Sequence, residues 1–357
     1  MMQRISRLLG IMISLGLLGC LCGCWDNRDI DHRSMPVVMG VSFHNNLYKV
    51  FLQIPEPRPK GINIRILKQE GITISQAVDK LSERVESSVD LLHLKMILVE
   101  KGYAEQGLND SIKSFMRSRQ ISSKAIIVIC EERLDPFFDY VKKSMTPKGT
   151  TLYDCFEKNA GWNPQMSLTR IWEVYRSIFS YTRDVAIPII KSGTNGTIDY
   201  LGSAIIKNGK MVDRITPEET LLFNSFKGNS AQGKIEVMND ASVQVLSSSM
   251  RHHSSFKNQI PYLDVQITIK VTIMETRGDV TTERIKQEMN EILSASFNHM
   301  FQKTKAREAD ILGLGQLFRK QIPRDRLSNW RKEYLPKLEL RLKFKTIIQN
   351  EGNTKLA

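Results

Sequence analysis

The chain has 357 residues, 41% hydrophobic and 25% charged, with 51 lysines and arginines against 38 acids for a net charge of +13. That apolar share excludes an intrinsically disordered chain, and five cysteines are too few for a disulfide-stapled secreted scaffold. The basic balance suits an anionic lipid surface, an acidic partner or plain solvation, and the basic residues lack the interleaved aromatics of single-strand nucleic-acid binders.

Arg4 and Arg7 head an almost wholly apolar run over 8–21, and the chain turns polar at Trp25-Asp26-Asn27-Arg28. A basic head, a short apolar run and a small-residue cut point make a secretory signal. Gly23 stands directly before Cys24. That order suits lipoprotein processing: the thiol takes a diacylglycerol, the peptide is cut before the cysteine, and the new amine is acylated. An uncleaved anchor is the competing reading, but a span needs about 20 apolar residues, and Gly10, Gly16 and Gly19 interrupt this run. Cys20 follows Leu17-Leu18-Gly19 in the same pattern, yet cleavage there would leave Cys22 and Cys24 on an exposed tail. The expectation is a signal peptide over 1–23 and lipidation at Cys24. Two acyl chains, at about 0.8 kcal/mol per buried methylene, hold a protein firmly to a bilayer. Trp25, Asp26 and Arg28 follow the lipid directly and are docking candidates, with Trp25 at headgroup level and Arg28 against a phosphate or a partner's carboxylate. A packed tryptophan and an internal ion pair fit them equally well.

The 334 residues from Cys24 onward carry a net charge of about +11 and suggest two domains, or three. Residues 36–43 and 47–54 read as a strand pair joined at His44-Asn45-Asn46. Pro55, Pro57 and Pro59 then predict an extended linker. Ile74, Ala77, Val78, Leu81 and Val85 recur at helical spacing, and so do Ala104, Leu108, Ile112, Phe115 and Met116. Residues 92–99 and 124–130 read as strands between and after these helices. Strand, helix, strand, helix, strand predicts an α/β sheet that is at least partly parallel. Asp135-Pro136 opens a short helix, and Asn163-Pro164 opens another through Leu168, Ile171, Trp172, Tyr175 and Phe179. A break at 188–196 divides the chain into 24–192 and 193–357.

After the break, Asn208-Gly209 between apolar runs predicts a hairpin. Thr216, Pro217 and Glu219 form a capping box that opens a helix ending at Gly228. Strands are expected at 234–238 and 242–250, and a long one where Leu263, Val265, Ile267, Ile269, Val271 and Ile273 alternate. Ile285, Met289, Ile292, Leu293, Ser296 and Met300 mark a long helix. Residues 310–320 read as a shorter helix interrupted by Gly313 and Gly315, and 338–344 as a last alternating strand. The second half is thus α+β with a largely antiparallel sheet. The fold expected is two to three successive mixed α/β and α+β domains.

The catalytic repertoire is sparse. His252 and His253 are adjacent, so on a strand they face opposite ways and do not share a metal easily. Gly313 and Gly315 lack a third glycine and a preceding strand, which argues for a tight turn rather than a dinucleotide site. Arg183-Asp184 reads as a surface ion pair more readily than as a functional one. Cys130 ends an apolar run and suits a buried hydrophobe; a Cys130–Cys155 disulfide stays open. The residues assign no catalytic group, no metal site and no cofactor.

Cys24-Trp25-Asp26-Asn27-Arg28-Asp29-Ile30 resembles the start of the Ger(x)C spore germination lipoproteins. Residues 37–43 and 48–54 are similar to that family's first hairpin, 93–99 with Gly102 and Arg117 to its next strand and helix, and 201–220 to its Gly-x-Ala hairpin and helix. Asp310-Ile311-Leu312-Gly313-Leu314-Gly315, Pro323 and Trp330 resemble its C-terminal block. Asp29 departs from the glutamate of many relatives but keeps the charge. The resemblance implies a non-enzymatic C-type subunit of a nutrient germinant receptor, needed for assembly or signal transmission. It implies integral-membrane A-type and B-type partners, no nucleic acid, and a lipid anchor on the extracytoplasmic face of the spore inner membrane. A lipid-anchored solute-binding protein is the other reading.

Overall fold

The computed structural model describes residues 33–350 other than 60, 146–150, 161–162, 164, 195, 229–232 and 237–240. Its first strands are β1 (Arg33–Ser34), β2 (Val38–His44), β3 (Leu47–Arg58) and β4 (Gly61–Gly71). Asn45 and Asn46, at φ 51° and 59°, make the two-residue turn between β2 and β3. The three prolines do not make a linker. β3 continues through Pro55 and Pro57 and pairs with β4 from Tyr48–Gly71 to Arg58–Gly61. Beyond Gln53 the strand has no register partner in β2. Residues two apart point their N–H groups to the same side, so both prolines spare the edge that needs no donors.

The rest of the first half runs α1 (Ile74–Ser82), β5 (Ser88–Val89), β6 (Met96–Glu100), α2 (Lys101–Gln106), α3 (Asn109–Arg117), β7 (Ile126–Cys130), α4 (Leu134–Met145), α5 (Leu152–Ala160), α6 (Ile171–Ile178), β8 (Val185–Ser192), β9 (Ile198–Lys207) and β10 (Lys210–Ile215). Gly107 at φ 132° splits the expected single helix into α2 and α3. The helix expected from Asn163 begins only at Ile171, and Pro164 lies outside the described residues. Pro188 sits inside β8, where the register with β9 shifts.

Eight of these strands form one sheet in the order β10-β9-β8-β7-β6-β2-β3-β4. β2, β6, β7 and β8 are parallel, with antiparallel hairpins on both flanks. Side-chain alternation divides its faces. Ile127, Ile129, Ile187 and Ile189 bury against α1, α2, α3 and α6, while Val128, Cys130 and Ile190 join Phe137 and Phe138 of α4 on the other face. The Asn208-Gly209 hairpin, read as opening the second half, therefore extends the first sheet.

Next come α7 (Pro217–Lys227), β11 (Gly233–Glu236), β12 (Ala241–Lys257), β13 (Ile260–Thr276), α8 (Thr282–Ala306) and β14 (Glu339–Asn350). The second sheet has the order β11-β12-β13-β14, antiparallel except for the parallel β13–β14 pair. The alternating β13 residues from Leu263 to Ile273 are buried, facing Ile285, Met289, Leu293, Phe297 and Met300 of α8. Ala186 and Ile205 of the first sheet pack into this same core through Leu221 and Leu222 of α7. The chain is thus a mixed parallel sheet with helices on both faces, joined to an antiparallel α+β unit. Among the described residues no helix is long and apolar enough to cross a membrane.

Gly202 shows how tightly β9 meets the end of β10 and the Thr216 cap of α7. Its φ is +93°, and a Cβ there would stand 2.1 Å from the Ile215 carbonyl oxygen. Gly202→Ala is expected to cost at least about 2 kcal/mol from backbone strain and clash together, read as a lower urea midpoint of the full chain.

Candidate functional site

The predicted lipidation and docking residues Cys24, Trp25, Asp26 and Arg28 lie outside the described residues, as does the 1–23 segment. What the described residues bring together is a buried polar junction between the two sheets. It starts at Asp184, one residue before β8 and fully buried. Arg183 and Asp184 are not the surface pair that their adjacency suggests. Asp184 instead accepts a fork from Arg331, at 2.9 Å from Nε and 2.7 Å from Nη2. The same Nη2 donates to the Ser180 carbonyl at 2.7 Å. A strand alternates its side chains, so the residue entering β8 beside inward-facing Val185 is delivered to the C-terminal block instead of solvent.

Asp310 completes the junction. Its backbone N–H donates to Asp184 Oδ2 at 2.8 Å, and the Asp184 N–H donates to the Asp310 carbonyl at 2.7 Å. Its carboxylate accepts from the N–H groups of Leu314 and Gly315, both at 2.8 Å, and from Trp330 Nε1 at 2.9 Å. This explains why the apolar spacing of 310–320 does not become an α-helix. An aspartate that bonds the amides four and five residues ahead competes with the helical ladder. Gly313 takes φ +70°, and only a single 3₁₀ turn, Leu314–Gln316, forms. A Cβ on Gly315 would lie 2.7 Å from both Thr182 Cβ and Trp330 Nε1, so the contact admits glycine alone. Trp330 is fully buried and stacks on Phe318 with ring centres 5.4 Å apart.

Burial pushes the Asp184 carboxyl above the ordinary carboxylate range, against the pull of Arg331. Burial likewise drives Asp310 up to about 6, although the Gly315 and Leu314 amides oppose it. A second polar link lies at the start of α7. Glu219 bonds the Thr216 N–H as the capping box requires. It is also 2% exposed and meets Lys303 at 3.0 Å and His299 at 2.6 Å, both on α8. Sequence reasoning identified the cap and missed the ion pairs. The usable signals were an aspartate directly before an apolar strand and another leading the Ile311-Leu312 pair.

Neither link has the form of a catalytic centre. Every polar atom of Asp184 and Asp310 is engaged by backbone, by the Arg331 guanidinium or by the Trp330 indole. Among the described residues no three His, Cys, Asp or Glu side chains are placed to hold a metal. His252 and His253 are exposed on β12, opposite Val265 and Asp264. Cys130 is free, and burial pushes its thiol up to about 12, so it is a poor nucleophile. The Cys155 side chain lies outside the described ones. The arrangement can couple two folded units so that movement of one strains the other.

Two family models match in succession. The spore germination protein N-terminal domain covers residues 26–192, and the spore germination B3/GerAC-like C-terminal model covers 201–352. Spore germination protein KC of Bacillus subtilis (strain 168) is 22% identical, over 97% of this chain and 96% of that protein. Spore germination protein A3 of the same organism is 25% identical, over 67% of this chain and 66% of that protein. The crystal structure of the GerBC protein superposes with a TM-score of 0.56 at 16% identity, covering 87% of this chain and 96% of that one.

Proposed function

The chain belongs to the Ger(x)C family of spore germination proteins, and from that membership we propose that it is the lipid-anchored C-type subunit of a nutrient germinant receptor. Its body lies on the extracytoplasmic face of the spore inner membrane, contacts integral A-type and B-type subunits, and takes part in assembly or signal transmission without catalysing a reaction. The observation that carries this reading is the order of the two matched models, 26–192 then 201–352, directly behind Gly23-Cys24. A body whose buried Asp184, Asp310 and Arg331 junction joins its two halves is suited to passing on a displacement. In this proposal Trp25, Asp26 and Arg28 sit at the headgroup level, and residues 24–192 and 193–357 act as the two units so linked.

Cys24→Ala in the native host tests it. The expected result is loss of the protein from the inner-membrane fraction and a nutrient germination rate reduced at least about tenfold, since one or no acyl chain binds a bilayer only reversibly. Unchanged membrane retention with an unchanged nutrient response would remove the proposal.

A further inference from the structure

A cleft of about 950 Å³ opens beside the buried junction, between the end of α6 and the 316–327 segment. Four arginines line it: Arg176, Arg183, Arg319 and Arg324. Among the described residues none of the four pairs with a carboxylate within 4.0 Å, although Arg33, Arg58, Arg65, Arg214, Arg284, Arg307 and Arg331 all do. No acidic residue is part of the lining. Arg176 lies over the Trp172 ring at 4.6 Å, and Arg319 donates to Gln316 Oε1 at 3.3 Å. The Arg183 Nε is buried and has no hydrogen-bond partner. Its neighbours are cationic. Arg183 Nε and Lys227 Nζ stand 3.3 and 3.4 Å from the place a Cβ on Gly313 would occupy.

Such a cluster is unfavourable when empty. Burial, then the charge of Arg176 and to a smaller extent that of Arg319, hold the Arg183 guanidinium below its ordinary range, against the opposing charges of Asp310 and Glu173. A concave surface lined by one sign of charge focuses the field on a counter-ion. Guanidinium forks match the paired oxygens of a phosphate better than a single lysine would. The wall carries two large exposed aromatics, Phe179 at 58% and Tyr181 at 59%, which suit an apolar group attached to the anion.

We propose that this cleft is a phosphate-binding site, in which Arg183 and Arg319 hold the oxygens, Arg176 and Arg324 supply the surrounding charge, and Phe179 and Tyr181 meet what the phosphate carries. The phosphate belongs either to an anionic phospholipid headgroup or to a soluble phosphorylated compound. The site rests on the cleft alone and not on the receptor reading, so the two stand or fall separately.

The test uses the full chain in non-ionic detergent. One arm is calorimetry with inorganic phosphate and with glycerol 3-phosphate at low and high salt. The other counts phosphatidylglycerol and phosphatidylcholine retained after reconstitution in nanodiscs of each and re-extraction. The expected result is saturable binding in one arm, weakened by salt, and weakened about tenfold by Arg183→Gln or Arg319→Gln but not by Arg58→Gln. Should Arg183→Gln fail to fold, the exposed pair Arg319→Gln with Arg324→Gln gives the same reading. Heat from the soluble probes identifies a soluble ligand, and retention of phosphatidylglycerol over phosphatidylcholine identifies a lipid. Absence of both, or binding unaffected by the arginine variants, would overturn the proposal.

Discussion

Asp184→Ala is expected to lower the unfolding free energy by about 3–5 kcal/mol, because it leaves the Arg331 charge buried without its partner. The guanidinium is held on three sides, by both Asp184 oxygens and by the Ser180 carbonyl. Deleting the carboxylate also removes the acceptor of the Asp310 N–H at 2.8 Å, so a buried backbone donor is orphaned as well. Urea denaturation followed by fluorescence reads the loss as a lower midpoint. Removing both charges together with Asp184→Leu and Arg331→Met should recover a large part of it, since desolvation of the pair then disappears. A single variant that loses under about 1 kcal/mol would show that the pair is solvated in solution and does not join the sheets, because exposed pairs contribute about that much or less.

The first sheet was legible because its physics is local. Residues 126–130 are all apolar, as a strand buried on both faces requires, and they form β7 in the middle of the parallel set. The same holds for the β13 alternation, the Asn208-Gly209 turn and the Thr216 capping box, each decided within a few residues. Errors arose where a distant partner decides. Pro55 and Pro57 read as a break until β4 supplies the single neighbour that their missing donors do not face. The 310–320 stretch reads as a helix until the Asp310 carboxylate takes the amides that the ladder would use. Asp184 and Arg331 are 147 positions apart, and nothing in the spacing of either announces the other. The cleft arginines come from the α6 end and the 316–327 segment, so no run of basic residues betrays them. Docking at Trp25, Asp26 and Arg28 was read from the sequence alone, and it rests on the chemistry of the neighbouring lipidation motif.

The stability difference between the natural chain and Asp310→Asn is expected to depend on pH, and the sign follows from burial. Burial raises the Asp310 carboxyl from 3.8 to about 6; the Gly315 and Leu314 amides and Lys227 favour the charge, while Asp184 disfavours it. Between those two values the folded chain holds a proton that the unfolded chain has released. Folding is therefore favoured most below pH 4, and the Asp310 contribution is lost as pH rises toward 6. A displacement of that size corresponds to about 3 kcal/mol. Asparagine carries no such titration, so the advantage of the natural chain over the variant should shrink by about 2 kcal/mol between pH 4 and pH 6.5. Asp90, Asp135 and Asp213 are held below the ordinary range by the Leu92 amide with Arg33, by Lys49 with Lys68, and by Arg307. Their contributions fall in acid and oppose the trend in either chain alone. They are common to both chains and drop out of the difference, which therefore reports Asp310 together with Asp184, the raised carboxyl coupled to it. Asparagine also turns an amide donor toward the Leu314, Gly315 or Trp330 N–H, so the variant should be the weaker protein at every pH in the window. Urea midpoints taken at half-unit steps supply the curve. A difference that stays flat from pH 4 to 6.5 would mean that the three donors hold Asp310 charged throughout and that burial does not dominate at this carboxylate.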